Sequence, residues 1–257
     1  MIEMISKFPD ITLLITHYNR SNSLANLLKS FKLLGISFGD VVVSDDGSED
    51  EHLIVVHKLK SEFGFKLVAA PANAGLGNNI NKGQNSISTP YTLYIQEDFE
   101  PTAKFQSALN NAIEIMNERM DIDITRFYAY LKYPYLKNLK NGFSEMYIPS
   151  FALNYKKIYF YSDHPHLRRS NFFSKFGKYS EGIKGDKTEY NMCLSFIRNN
   201  GKGLFYNDFQ SLFIQRNSEA EPSTMVRSKI SNSNFFIIKI VRDLYRQIKY
   251  NYDLFKK

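Results

Sequence analysis

VVVSDDGSED, residues 41–50, places a strand, a polar turn and the start of a helix next to one another. The valines predict a buried strand, because β-branched residues favour extended backbone and a continuous apolar run is typical of a strand covered on both faces. The run ends in Asp, Gly and Ser, which are turn-forming residues. Ser48 and Glu51 have the spacing of a capping box and predict a helix that continues to about Phe63.

The segments on both sides repeat this order. ITLLITHYNR (11–20) is an apolar run that ends in polar residues, and a helix with one apolar face follows it. Two further strand-length runs are KLVAA (66–70) and YTLYI (91–95), and a helix is predicted from about Thr102 to Glu118. Strands that alternate with helices are typical of a parallel sheet with crossover helices, so the sequence predicts an α/β domain.

The second half of the chain is less regular. Its strand-like runs are 127–131, 157–162, 203–207 and 212–214. A helix is predicted near 188–199, and the chain after Ser233 has the pattern of one amphipathic helix. The polar face of that helix is basic, with Lys239, Arg242, Arg246 and Lys249. We therefore expect one domain over residues 1–225 and a helical tail over residues 226–257.

Composition narrows the class of protein. The 257 residues are 43% hydrophobic and 23% charged, with a net charge of +7 and one cysteine, Cys193. No apolar run reaches the roughly 18 residues that a membrane span requires, and the N-terminus lacks the features of a signal peptide. The basic balance suits nucleic acid, an anionic membrane or an anionic substrate, but zinc-finger spacing and RNA-binding motifs are absent. We expect a cytoplasmic protein that does not bind nucleic acid.

Polar residues follow three of the predicted strands. They are 16–20 after the first strand, 45–48 after the second and 96–98 after the fourth. In an open α/β sheet these carboxyl ends meet at one crevice, which is where ligands bind. The motifs of other sites are missing. GxxxxGK[ST] is absent, which excludes a P-loop, and Ile80 breaks the GxGxxG pattern of a dinucleotide site. GxSxG is absent, which argues against a serine hydrolase.

The chain resembles the family 2 glycosyltransferases of the GT-A fold. The resemblance is carried by ITLLITHYNR, VVVSDDGSED, PANAGLGNNINKG and YTLYIQED. It covers residues 11–101 well and 172–215 more loosely. It implies a three-layer α/β domain with a central, mostly parallel mixed sheet. It also implies a hexosyltransferase-type enzyme that moves a sugar from a nucleotide-diphosphate donor to an acceptor hydroxyl with inversion. A role in bacterial surface polysaccharide biosynthesis, on a saccharide or lipid-linked saccharide acceptor, follows from the same resemblance.

The resemblance places the nucleotide at the ends of the first strands. Tyr18 matches the aromatic residue that stacks on the base, and Thr16 lines the same pocket. Asp46 matches the acceptor for a base N–H, while Asp45 either shares this role or orients the turn. Residues 73–83 match the loop beside the ribose and phosphates, and a UDP-sugar is the favoured donor. The expected nucleotide-binding residues are Thr16, Tyr18, Asn19, Arg20, Asp45, Asp46, Asn73, Gly75, Asn81 and Glu97.

The resemblance also implies a metal ion and a catalytic base. Asp98 matches the last Asp of the family's D-x-D motif, which holds Mn²⁺ or Mg²⁺ against the diphosphate, whereas Gln96 stands where the first Asp is expected. In the second half, Glu189 matches the first acid of a pair whose second member is usually the base. Tyr190 occupies that second position. We therefore expect Glu189 to be the base, with Asp186 as the alternative.

Two other functions stay open. A catalytically degenerate nucleotide-sugar-binding protein would explain Gln96, Tyr190 and Gln215, which stand where relatives carry Asp, Asp and His. A sugar nucleotidyltransferase would share the core and the metal, but His17–Arg20 is not the glycine-rich loop such an enzyme needs. The basic tail either docks on anionic lipid, which makes the chain peripheral on the inner face of the membrane, or packs against the domain or a second subunit.

SDHPHLRRS, residues 162–170, contains two pairs of interest. His164 and His166 have no Cys or His partners at zinc spacing, so we expect acceptor-site or structural roles. Arg168 and Arg169 either contact a diphosphate or an anionic acceptor or form a surface pair.

Overall fold

The computed structural model describes residues 6–216 and 236–256. The strands are β1 (Ser6–His17), β2 (Ile36–Asp45), β3 (Lys66–Ala69), β4 (Tyr91–Gln96), β5 (Phe99–Pro101), β6 (Ile124–Arg126), β7 (Leu136–Asn138), β8 (Phe143–Met146), β9 (His166–Arg169), β10 (Gly203–Tyr206) and β11 (Phe213–Gln215). The helices are α1 (Ser21–Leu33), α2 (Asp50–Phe63), α3 (Leu76–Gln84), α4 (Phe105–Glu118), α5 (Phe172–Phe176), α6 (Gly185–Arg198) and α7 (Phe236–Phe255). A 3₁₀ segment spans Tyr155–Phe160.

Within the described residues, nine strands form one mixed sheet in the order β3-β2-β1-β4-β9-β6-β10-β8-β7. The first four of these strands are parallel, as the sequence predicted. β9 lies antiparallel between β4 and β6, β10 is parallel to β6, and β8 and β7 complete the edge in antiparallel pairing. β5 and β11 form a separate antiparallel pair.

The sheet is covered by helices on both faces. In β1, Leu13 and Ile15 belong to one core and Leu14 to the other, because successive side chains of a strand point to opposite faces. α1, α2 and α4 pack on the first face, and α3, α5 and α6 pack on the second. Each of these fully buried leucines and isoleucines stabilises the fold by about 2 kcal/mol. The predicted three-layer α/β architecture is confirmed.

Two predicted strands of the second half are wrong. Residues 127–131 follow β6 as irregular chain, and residues 157–162 overlap the 3₁₀ segment. Asn154 explains the second case, because its side chain accepts a hydrogen bond from the Lys156 amide at 3.0 Å and starts a turn. The tyrosines of 127–131 contact His164 instead of a neighbouring strand, with ring centroids 4.5 Å apart for Tyr130.

The C-terminal amphipathic helix is present as α7, which packs against the 3₁₀ segment and α6. The predicted boundary between residues 225 and 226 lies outside the described residues. Among the helices in the described ranges, none combines the length and apolar composition needed to cross a membrane.

Candidate active site

A cleft of about 630 Å³ lies at the carboxyl ends of β1, β2 and β4. The walls are completed by the irregular chain after β6, the 3₁₀ segment and the start of α6. The predicted site residues that line it are Thr16, Tyr18, Arg20, Asp46, Asn73, Gly75, Glu97, Asp98, Asp186 and Glu189. The strand ends therefore meet at one crevice, as the sequence predicted.

Asp45 stands behind the cleft wall and organises the turn after β2. It is fully buried, and its carboxylate accepts hydrogen bonds from His17 Nδ1 at 2.7 Å and Ser48 Oγ at 2.6 Å, and from the amides of Gly47 and Ser48. Burial alone would raise the pKa of Asp45, but these hydrogen bonds and the charge of His17 outweigh it and lower the pKa to about 2. Ser48 is engaged here, so it does not form the predicted capping box. The geometry therefore favours the interpretation that Asp45 orients the turn.

Asp45→Asn is expected to lower the free energy of unfolding by about 2 kcal/mol at neutral pH, because the folded state holds the carboxylate and the amide cannot replace it. The pKa is lowered on folding from the ordinary 3.8. The stabilisation is therefore complete above about pH 4 and is lost as the pH falls towards 2. Urea unfolding between pH 7 and pH 3 measures the difference, with the exposed Asp10→Asn as the matched control. An equal loss at both pH values, or no loss at pH 7, would contradict the assignment.

Asp46 faces the cleft and fixes the loop that precedes α3. Its two carboxylate oxygens accept the amides of Ala74 and Gly75, each at 3.0 Å. The neighbouring Gly47 has φ +73°, and a Cβ there would lie 2.4 Å from the Ala72 carbonyl carbon. Only glycine fits this approach, so the loop and the β2–α2 turn form one rigid edge of the cleft.

Asn19 and Asn81 were predicted to bind nucleotide, and the structure does not bring them into the cleft lining. Asn19 Oδ1 accepts the Glu49 amide at 2.8 Å, which ties the β1–α1 turn to the start of α2. Asn81 is buried, and its side chain pairs with the backbone N–H and C=O of Tyr179 at 3.0 and 2.9 Å. Both residues hold cleft-forming segments in place instead.

Arg20 bridges the acidic pair that follows β4. Its Nη1 lies 3.5 Å from Glu97 Oε1 and 3.4 Å from Asp98 Oδ2. All three side chains are nearly buried while lining the cleft. Gln215 on β11 completes the group, because its Nε2 donates to Asp98 Oδ2 at 2.9 Å and its Oε1 accepts from Tyr130 Oη at 2.8 Å.

The surroundings of Asp98 are compatible with a divalent metal ion. Its Oδ1 is buried and finds no hydrogen-bond partner within residues 6–216 and 236–256. No cluster of three or more His, Cys, Asp or Glu in those ranges could hold a metal by itself. Mg²⁺ is usually held by one or two carboxylates together with substrate phosphates, so Asp98 with Glu97 is a sufficient protein contribution. The donor set fits a divalent ion that arrives with a diphosphate.

Glu189 lines the cleft from the second turn of α6. Its Oε1 accepts hydrogen bonds from Ser162 Oγ at 2.9 Å and from the Asp163 amide at 3.0 Å, which fixes a half-buried carboxylate at the cleft. Asp186 also lines the cleft but is exposed, and its Oδ1 accepts from the Lys187 amide at 2.9 Å. Tyr190 points to α7, where its hydroxyl donates to Asp253 at 2.6 Å.

Asp163 is a cleft residue that the sequence analysis missed. It is 4% exposed, and its Oδ1 accepts a hydrogen bond from Tyr179 Oη at 2.9 Å. Its Oδ2 has no hydrogen-bond partner among the residues that the structure describes. Burial and the charge of Glu189 raise its pKa to about 7. The sequence signal that could have identified Asp163 is an acidic residue among the polar residues of SDHPHLRRS.

The basic and imidazole side chains of the same segment have structural partners. Arg168 is fully buried and donates to Gln84 Oε1 at 2.7 Å, while Arg169 donates to the Met116 carbonyl at 2.7 Å. Neither lines the cleft, and Arg168 is not a surface residue. His164 lines the cleft, and burial lowers its pKa to about 3. His166 is buried within the fold.

The first comparison concerns sequence families. A family model described as glycosyl transferase family 2 matches residues 12–178. Among curated proteins, poly-beta-1,6-N-acetyl-D-glucosamine synthase of Staphylococcus aureus (strain MSSA476) is 26% identical over 94 residues, which are 37% of this chain and 23% of the relative. The synthase of Staphylococcus epidermidis is 27% identical over 88 residues, 34% of this chain and 21% of the relative. The matches thus span less than a quarter of these relatives.

The second comparison concerns solved structures. S. aureus TarS, residues 1–349, in complex with UDP-GlcNAc superposes with a TM-score of 0.62 at 16% identity, over 94% of this chain and 72% of that chain. Mannosyltransferase PcManGT from Pyrobaculum calidifontis, in complex with GDP-Man and Mn²⁺, gives a TM-score of 0.56 at 11% identity, over 97% and 67% of the two chains. At these identities the likeness is one of fold, and it confirms the GT-A architecture.

Proposed function

The chain belongs to glycosyl transferase family 2, and we propose that it transfers a sugar from a nucleotide-diphosphate donor to an acceptor hydroxyl with inversion at the anomeric carbon. One observation carries this proposal. The acidic pair Glu97 and Asp98, which follows β4, and Glu189 on α6 line the same cleft. That arrangement suits a donor diphosphate on one side and an acceptor hydroxyl on the other.

The nucleotide is proposed to lie along the ends of β1 and β2. Tyr18 is a half-buried aromatic side chain that can stack on a base, and Thr16 lies beside it. The Asp46 carboxylate has lone pairs beyond those used by Ala74 and Gly75, so it can accept a base N–H. This contact favours a base that carries an N–H donor, as uracil does, and a UDP-sugar is our proposed donor.

Asp98 and Glu97 are the residues that would hold Mn²⁺ or Mg²⁺ at the diphosphate, and the ion would supply neutralisation of the leaving group's charge. The structure of PcManGT carries Mn²⁺, which supports this cofactor. Arg20 contributes a second positive charge beside Asp98 and holds the two carboxylates in place. Gln215 orients Asp98 through its amide.

Glu189 is the proposed base, with Asp186 as the alternative. The acceptor oxygen attacks the anomeric carbon on the side opposite the diphosphate, the bond between that carbon and the diphosphate oxygen breaks, and the hydroxyl proton passes to the Glu189 carboxylate. One displacement of this kind inverts the configuration. The two hydrogen bonds to Oε1 leave Oε2 of Glu189 to accept the proton.

The acceptor is proposed to be a saccharide or lipid-linked saccharide of bacterial surface polysaccharide biosynthesis. The curated relatives are named as synthases of an N-acetylglucosamine polymer, which supports this class. A lipid-linked acceptor lies at a membrane surface, so we propose a cytoplasmic chain that works peripherally on the inner face of the membrane.

A panel of UDP, GDP, CDP and TDP, each with and without Mn²⁺, tests the donor site by thermal shift. A ligand that binds only the folded state raises the unfolding free energy by RT ln(1 + [L]/Kd), about 2.7 kcal/mol at a hundred times Kd. We expect a shift that is largest for UDP and larger with Mn²⁺ than without it. Equal responses to all four nucleotides would contradict base recognition by Tyr18 and Asp46. Binding without sugar transfer would favour a nucleotide-sugar-binding protein.

A further inference from the structure

Helix α7 packs on the domain through its polar and aromatic face. Tyr250 and Leu254 pack against the core beside α6. Asp253 accepts from Tyr190 Oη, and Arg246 Nη1 donates to Tyr155 Oη at 3.3 Å. Arg198 donates to backbone carbonyls at the end of α7. These contacts fix which side of the helix is turned towards solvent.

The side turned to solvent is the apolar stripe. Its members are each at least 60% exposed and recur every three or four residues, and they are Val241, Leu244, Tyr245, Ile248, Tyr252 and Phe255. An apolar face of this length normally packs against the core of a soluble domain. Here the domain occupies the other face, so the stripe needs a different partner.

The exposed apolar surface continues onto the domain. Gln247 Nε2 donates to the Ala152 carbonyl at 3.4 Å, which places α7 beside the 151–153 loop. Phe151 and Leu153 on that loop are 91% and 83% exposed. These two side chains therefore add to the exposed apolar surface beside α7, which suits an extended apolar phase.

The charges around the stripe match an anionic surface. Residues 236–256 contain five Lys or Arg against two Asp, and the half-buried Lys156 lies on the adjoining 3₁₀ segment. Two such helices would repel each other, while anionic headgroups attract each basic residue near the surface. Tyr245 and Tyr252 are amphipathic rings of the kind that settle at the headgroup level.

We infer that the exposed face of α7, with Phe151 and Leu153, lies in the headgroup region of an anionic membrane. Arg246 is the link to the site, because it belongs to α7 and lines the cleft together with Lys156 and Tyr155. Docking of α7 therefore brings a basic wall of the cleft beside the bilayer, where the anionic head of a lipid-linked acceptor would enter. The acceptor part of this inference rests on the proposed function, whereas the membrane contact does not.

Flotation with vesicles tests the contact directly. The full chain is expected to float with vesicles that contain phosphatidylglycerol and to do so at least tenfold less with pure phosphatidylcholine. Leu244→Glu with Ile248→Glu is expected to lower binding to the anionic vesicles at least tenfold, because it puts two negative charges into the face that would contact the membrane. Leu33→Glu with Ile54→Glu is the matched control, since both side chains are exposed on the opposite side of the sheet.

Several results would overturn the inference. They are no flotation of the full chain, equal flotation on both lipids, and equal flotation of the stripe variant and the control. Light scattering gives the mass of each protein, and a dimer that only the stripe variant loses, without flotation, would assign the face to a second copy. The nucleotide panel, run on the same variants, is expected to be unchanged. Membrane binding without any nucleotide response would instead count against the proposed function alone.

Discussion

Asp98→Asn is expected to lower kcat/KM for sugar transfer by about 10²- to 10³-fold. The amide keeps the size of the side chain and its hydrogen bond with Gln215, but it removes the charge that a divalent ion requires. The buried, unpartnered Oδ1 of Asp98 is the atom on which this expectation rests.

The measurement combines initial rates with the thermal-shift panel. In the unaltered chain Mn²⁺ is expected to enlarge the shift produced by UDP, and in Asp98→Asn that enlargement is expected to disappear while the shift by UDP alone remains. Asp208→Asn removes the same charge from an exposed position and serves as the control. A variant that keeps both its rate within threefold and its response to Mn²⁺ would remove Asp98 from the metal site.

The parallel half of the fold and one wall of the cleft were predictable because their signals are local. Where an apolar run ends in DDGS or QED, the sequence indicates both where the strand stops and that its end is polar. Adjacent parallel strands bring such ends together. Thr16, Tyr18, Asp46 and Asp98 were found in this way. Their positions follow from the backbone, whatever the rest of the chain does.

The second wall depends on contacts between distant segments, and local patterns do not contain them. The run KIYFYS has the residues of a strand, yet the Asn154 cap and the packing of α7 make 155–160 a 3₁₀ segment. Asp163 joins the site only because β9 returns beside β4. Asn81 is the reverse case. It belongs to a segment that matches the family, yet its side chain accepts the Tyr179 amide and does not line the cleft.

α7 illustrates a further limit of pattern reasoning. The period of its apolar residues predicts an amphipathic helix. It does not say which side the domain occupies, because Tyr250 and Leu254 supply enough apolar contact to hold the other face. The exposed stripe is therefore a finding of the structure, not of the sequence.

Glu189→Gln is expected to lower kcat by about 10³-fold and to leave nucleotide binding unchanged. The amide cannot take the proton of the acceptor hydroxyl, yet its oxygen can still accept from Ser162 Oγ and the Asp163 amide, so the wall keeps its shape. Glu62→Gln, on the exposed side of α2, is the matched control. The measurements are transfer rates at saturating donor and the thermal shift produced by UDP. A lower rate with an unchanged thermal shift indicates loss of the base, whereas a smaller thermal shift indicates damage to the nucleotide site.

Asp186→Asn decides between the two candidates for the base. Asp186 is exposed and its Oδ1 accepts from the Lys187 amide, so its carboxylate is hydrated and less suited than the fixed Glu189 to take a proton within the cleft. We expect its loss in kcat to be at least tenfold smaller than that of Glu189→Gln. The reverse order would move the base to Asp186, and full activity of both variants would leave Asp163 as the carboxylate in the cleft with an unpartnered oxygen on that wall. Burial raises the pKa of Asp163 above its ordinary value, which would suit it to accept a proton within the cleft.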